Sequence, residues 1–155
     1  MQTKQLSALA ALLFLVVMAV YFYLHPSYRL SLEAKIYYTI GEYDSAYEIA
    51  SQAYELNKYN RMAFTIMVQS KNAQKFLEFI SMAKEHYAQI QFIAAKPEVT
   101  NADKIKIKML LEVVLQSYQR LSANQLTDKT LVDDAKKYKD NFQKLYDELF
   151  GESKE

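Results

Sequence analysis

The stretch from Gln5 to Leu24, QLSALAALLFLVVMAVYFYL, contains no charged residue, and it constrains this chain more than any other feature. As a helix, Leu6 to Leu24 covers about 28 Å, enough to cross the hydrocarbon of a bilayer. Tyr21, Phe22 and Tyr23 stand at its far end, where aromatic rings favour the interface, and the helix-ending pair His25-Pro26 follows. A core helix of a soluble domain and a cleaved signal peptide are the rival readings. The uncharged length argues against the first. Against the second, the run exceeds a usual signal-peptide core, and bulky aromatics stand where a small-x-small cleavage site belongs. The expectation is a retained single-pass anchor within residues 1–26, with the lipid bilayer as the partner of Leu6 to Leu24. Ser7 and Ala11 form a small-xxx-small pair that suits a homodimer through the anchor, although alanine-rich spans often carry such pairs by chance.

Orientation is nearly balanced by charge. Lys4 precedes the span; Arg29 and Lys35 follow it, with Glu33 between them. A short basic tail before a span behaves as a signal anchor with its amino end inside, so the body leans extracytoplasmic.

The rest of the chain must supply the fold. It is 51% hydrophobic overall with two Gly and two Pro, too little loop punctuation for a turn-rich β architecture. No cysteine is present, which excludes disulfides and thiolate metal sites. A net charge of +1 argues against nucleic acid as a partner.

Helical periodicity begins after Pro26 and persists. Leu30, Ala34, Tyr37 and Tyr38 give one stripe; Tyr43, Ala46, Tyr47, Ala50, Ala53 and Tyr54 give the next. A short helix is expected to carry Met62, Phe64, Met67 and Val68. A long one is expected from Ala73 to Lys96, with Phe76, Ile80, Ala83, Tyr87, Ile90 and Ala94 inward, ended by Pro97. Lys104-Ile105-Lys106-Ile107-Lys108 alternates like a strand, but Ile107, Leu110, Leu111, Val114, Tyr118 and Leu121 hold helical spacing, and helix is preferred. Thr100 and Asp103 have capping-box spacing, as do Thr130 and Asp133. The last helix, Thr130 to Phe150, places Leu131, Ala135, Tyr138, Phe142, Leu145 and Leu149 on one face, with Gly151 as its C′ residue. The fold expected is all-α: one transmembrane helix, then about six antiparallel helices over residues 27–150 and a tail over 151–155.

Gly41 lies inside the otherwise helical YYTIGEYDSAYEIASQAYEL. Within one helix it would only weaken the chain; between two helices it supplies a tight turn, with small residues Ala34, Ala46, Ala50 and Ala53 allowing close approach.

That pattern resembles the tetratricopeptide repeat (TPR), a helix-turn-helix unit of about 34 residues. The resemblance covers Ser27 to Asn60 as one unit. Leu30, Ala34 and Tyr37 match the large, small and aromatic positions of the first helix, and Ala46 and Ala53 the alanine positions of the second. The chain departs from the pattern at Glu33, Ala50 and Lys58. A second, degenerate copy begins at Arg61, with Phe64, Met67 and Val68 in register, and fades near Lys71. The resemblance implies a protein or peptide partner held by the inner face of each first helix. On matching positions these residues are Tyr28, Ser31, Lys35, Tyr38, Thr39, Tyr59 and Asn60, with Met62, Thr65 and Gln69 from the second copy. Packing of Tyr38 and Tyr59 on neighbouring helices is the competing expectation. Pro26 leaves almost no linker, so a membrane-bound or membrane-proximal partner is expected. By resemblance, bacterial inner-membrane proteins of this build act as accessory or assembly factors for larger membrane complexes.

Chemistry finds little to stand on. His86 follows Glu85, but no second ligand stands at H-E-x-x-H spacing, and a solvated or interhelical histidine is the simpler reading. Asp133-Asp134 and Asp147-Glu148 are adjacent pairs that point to different helix faces. No phosphate-binding glycine loop exists. Lys104, Lys106 and Lys108 could meet phosphate or anionic headgroups, yet Asp103 and Glu112 flank them and a solvated first turn is preferred. The expectation is no enzyme, no catalytic residue, no metal and no cofactor. An interaction protein is the first reading, a structural subunit packed permanently in a membrane complex the second, and an enzyme the third.

Overall fold

The structure, a computed structural model, describes residues 2–124 and 126–151. All regular elements among them are helices: α1 (Gln2–Leu24), α2 (Pro26–Thr39), α3 (Tyr43–Leu56), α4 (Arg61–Ala94), α5 (Asn101–Gln119) and α6 (Lys129–Phe150). The chain is therefore all-α, as its periodicity requires. It divides into two compact units, Met1–Lys71 and Asn72–Glu155, and the division falls inside α4 where the repeat-like pattern fades.

In the first unit, α1 is long and apolar enough over Ser7–Leu24 to cross a membrane, and none of that stretch is buried within the chain. His25 separates it from α2. The imidazole stacks on Tyr21 with centroids 4.3 Å apart, and its Nδ1 donates to the Tyr21 carbonyl at 2.9 Å. Pro26 then opens α2 at a position where a missing N–H loses no helical bond.

Between α2 and α3 the backbone reverses at Gly41, whose φ is +86°. Glu42 N donates to the Tyr37 carbonyl at 2.9 Å and Gly41 N to the Tyr38 carbonyl at 3.2 Å. This pair of bonds is a Schellman C-cap, which needs a left-handed residue where Gly41 stands. The hairpin expected from the sequence is present. Ala34, Ala46, Ala50 and Ala53 are all fully buried, so the helices meet with no side chain longer than a methyl at those points. Ile66 of α4 completes that cluster, with Tyr37, Tyr38, Ile49, Met62 and Met67 packed around it.

Two expectations for α4 are corrected. The short and long helices predicted there are one helix of 34 residues, so five helices follow α1. The polar run Gln69-Ser70-Lys71-Asn72 contains no glycine or proline to break it, and two of its side chains, Lys71 and Asn72, find partners from within the helix. Lys71 lies 5.3 Å from the Tyr47 ring centroid, and Asn72 Nδ2 donates to Thr127 Oγ1 at 2.8 Å and the Ser122 carbonyl at 3.2 Å. The buried stripe is also rotated from the predicted one. Ala63, Ile66, Ser70 and Ala73 are inside while Phe64 and Val68 are exposed, because the small residues allow the closer approach.

In the second unit, α5 and α6 pack on each other. Phe76, Phe79, Ile80, Ala83, Ile90 and Ile93 of α4 are buried, as are Ile107, Leu111 and Val114 of α5 and Leu131, Ala135 and Phe142 of α6. Tyr87 and Ala94, expected inside, are exposed. The Thr100–Asp103 capping box forms as predicted. That at Thr130 and Asp133 does not: α6 starts earlier, capped by Asp128, whose carboxylate accepts from Thr130 N at 2.9 Å. Gly151 ends α6 but with φ −62°, so it is not a left-handed cap. A Cβ there would run into the Asp147 carbonyl, and close approach is what excludes a larger residue.

Candidate interaction surfaces

The residues carried over from the repeat resemblance divide sharply by burial. Ser31 is fully buried and Asn60 is 1% exposed, which removes both from any surface a partner could reach. They are instead joined to each other. Asn60 Nδ2 donates to Ser31 Oγ and to Ser27 Oγ, each at 2.8 Å. Ser27 Oγ donates to the Ala53 carbonyl at 2.7 Å and Ser31 Oγ to the Ser27 carbonyl at 2.8 Å. Asn60 Oδ1 accepts from Ala63 N at 3.1 Å, capping α4. One amide thus ties α2 to the start of α4, while Ser27 carries the tie to the end of α3. Every member is satisfied, the condition under which a buried polar cluster strengthens a core.

The others keep some surface. Lys35 and Thr39 are exposed, with Thr39 Oγ1 donating to the Lys35 carbonyl at 2.8 Å. Tyr59 is 93% exposed, in the loop between α3 and α4. Tyr28, Tyr38, Met62, Thr65 and Gln69 are half-buried. Tyr38 meets Tyr43 edge to face at 5.3 Å, and Tyr28 lies 6.1 Å from Tyr21 by ring centroids. Tyr38 and Met62 therefore contribute to the core as well as to the surface. Tyr59 does not pack inward.

Sequence reasoning missed two outward apolar stripes. On α2, Leu32 and Ile36 with the following Ile40 are 42%, 63% and 65% exposed. On α5, Ile105, Met109 and Val113 are exposed on the side away from Ile107, Leu111 and Val114. The available signal was the Lys-Ile alternation at 104–108, which imitates a strand because Ile105 and Ile107 lie on opposite faces of one helix.

Asp103 sits in a set of hydrogen bonds that holds its carboxyl pKa low. Its carboxylate accepts from Lys96 Nζ at 2.6 Å, Thr100 Oγ1 at 2.8 Å and Thr100 N at 3.1 Å. The Lys96 bond first, then those from Thr100, lower its pKa from the ordinary 3.8 to about 2. This is a clamp on the α4–α5 connection and the start of α5. His86 is half-buried, with Nδ1 shut from solvent and unpartnered among the described residues. No cluster of three or more His, Asp or Glu able to hold a metal occurs among the described residues. Asp133, Asp134, Asp147 and Glu148 are exposed, the last two engaged by Gln143 Nε2 at 2.9 Å and Lys144 Nζ at 3.8 Å.

In comparisons with known proteins, no family model, no curated protein and no solved structure matches the chain.

Proposed function

We infer that this chain is a single-pass, membrane-anchored helical protein with TPR-like hairpins that engages another polypeptide and is not an enzyme. On this reading it serves as an accessory or assembly factor for a bacterial inner-membrane complex, with its body on the extracytoplasmic side. The observation that carries the reading is α1: an apolar helix with none of Ser7–Leu24 buried, joined through His25 alone to a well-packed hairpin. So much exposed apolar surface is stable only against lipid or protein. Binding of a membrane-proximal polypeptide is supported by Tyr59, a large aromatic at a loop tip that the fold does not use, and by the exposed ammonium of Lys35.

A second reading, a structural subunit packed permanently in a membrane complex, is favoured by the outward stripe Leu32–Ile36–Ile40. Photo-crosslinking in native membranes separates the two. A crosslinker at Tyr59 that yields one discrete adduct, lost in Lys35→Glu, supports a binding protein. An adduct from Ile36 but none from Tyr59 moves the assignment to the structural subunit. No discrete adduct from either position, with Gln52 on α3 as the control, removes both. Retention of the anchor is checked by intact mass and carbonate washing: a mature chain beginning near His25, released by the wash, would overturn it.

A further inference from the structure

We propose that the outer face of α5 docks on an anionic bilayer surface, lying in the headgroup region while α4 and α6 hold its inner face. Ile105, Met109 and Val113 recur at i, i+4, i+8 and are 62%, 61% and 43% exposed. At 100° per residue they occupy an arc of about 80° opposite the buried side. Lys106 lies on one flank of that arc; Lys108 and Lys104 lie on the other, with Glu112 between Lys108 and the stripe, about 20° from Ile105. An apolar stripe with lysines on both sides is the pattern of a helix that lies in an interface, its aliphatic stems reaching along the apolar surface while the ammonium groups meet phosphate.

The charges around the stripe, three lysines against the carboxylates of Glu112 and Glu85, favour a negative occupant. Lys104 and Lys106 make no ion pair among the described residues. Lys108 is 4.0 Å from Glu112, whose Oε1 also accepts from Tyr146 Oη at 3.3 Å. Ala102 and Gln116, which fall within the same arc one turn before and after, are exposed and uncharged. Asp103 points inward and is held by Lys96. Beside Lys106, Phe92 of α4 is 74% exposed and shares with it a shallow groove of about 390 Å³. Glu85 lines the same groove and accepts from Gln89 Nε2 at 3.2 Å. Phe92 adds an aromatic ring to the apolar surface, as phenylalanine does on the apolar face of interfacial helices. A protein groove would accept the stripe equally well but would have to bring carboxylates to both flanks; an anionic bilayer supplies negative charge on every side. The proposal rests on the membrane-anchor reading only for the nearness of a bilayer.

The chain contains no tryptophan, so Met109→Trp in the full-length protein gives a single reporter on the stripe. The variant is reconstituted in phosphatidylcholine vesicles with and without phosphatidylserine, each prepared with and without brominated acyl chains. The expected result is blue-shifted emission quenched by brominated lipid in the phosphatidylserine vesicles alone, and reversed by 1 M salt, where the Debye length falls to about 3 Å. At about one kcal/mol per lysine, Lys104→Gln with Lys106→Gln lowers the ratio of docked to undocked protein by on the order of thirtyfold, with helicity unchanged. Water-like, unquenched emission in all vesicles overturns the proposal. So does a blue shift that brominated lipid does not quench and that grows with the protein-to-lipid ratio, the signature of a second copy on this face. Flotation with phosphatidylcholine vesicles in 1 M salt reads α1 alone. Failure there with quenching retained on anionic vesicles would remove the anchor and leave the α5 surface standing.

Discussion

Asn60 and Ser27 are 33 residues apart in sequence, yet the Asn60 side-chain amide donates to the Ser27 hydroxyl at 2.8 Å inside the first unit. The same side chain caps α4 through its carbonyl oxygen. An amide is the group that can do both, since it offers two donors and an acceptor from one rigid plane.

Replacing Asn60 by Asp separates the two roles. Asp is an equally good N-cap, but it loses both donors and sets a carboxylate oxygen against two hydroxyls already committed to carbonyls. Asn60→Asp should therefore lower the unfolding free energy by about 2–3 kcal/mol in chemical denaturation, despite preserving the cap. An unchanged stability would mean that capping alone accounts for Asn60.

Gly41 tests the hairpin. A Cβ added there meets nothing within 4 Å, so any penalty comes from the φ of +86° and not from crowding. Gly41→Ala should cost about 1 kcal/mol and lower the melting temperature, with Gly41→Asn costing less. A rise in melting temperature with alanine would instead indicate a continuous helix, where alanine is the better residue.

Asp103 sets an acid-side dependence. Its folded pKa of about 2 lies below the ordinary 3.8, so between those values the unfolded chain binds the extra proton. Stability from this clamp is complete above about pH 4 and is lost as pH falls toward 2. Denaturation midpoints of the wild type should fall more steeply than those of Asp103→Asn through that window, and the two curves should run parallel above it.

Ser70 is fully buried in α4 with its hydroxyl unpartnered. Ser70→Ala removes an unsatisfied group and adds helix propensity, so it should raise stability by about 1 kcal/mol. A loss of similar size would place an ordered water or a local bond on that hydroxyl.

Much of this architecture was legible from local pattern. The uncharged run Gln5 to Leu24, the Gly41 turn and the Thr100–Asp103 box are decided by residues within a few positions of one another. Solvation, backbone sterics and short-range hydrogen bonding act at that range. The all-α class follows for the same reason, since helical periodicity is local. Other features depend on groups far apart in sequence. Ser31 and Asn60 pass for surface positions until α2 and the start of α4 are brought together, and then each satisfies the other. Nothing in Gln69 to Asn72 reveals that Lys71 meets Tyr47 and Asn72 meets Thr127, so polar residues that imitate a break sit inside a continuous helix. The outward stripe of α5 was hidden because periodicity counts apolar residues without saying which face has a neighbour. Ile105 and Ile107 are the same residue type two positions apart, and only the tertiary packing makes Ile107 core and leaves Ile105 exposed.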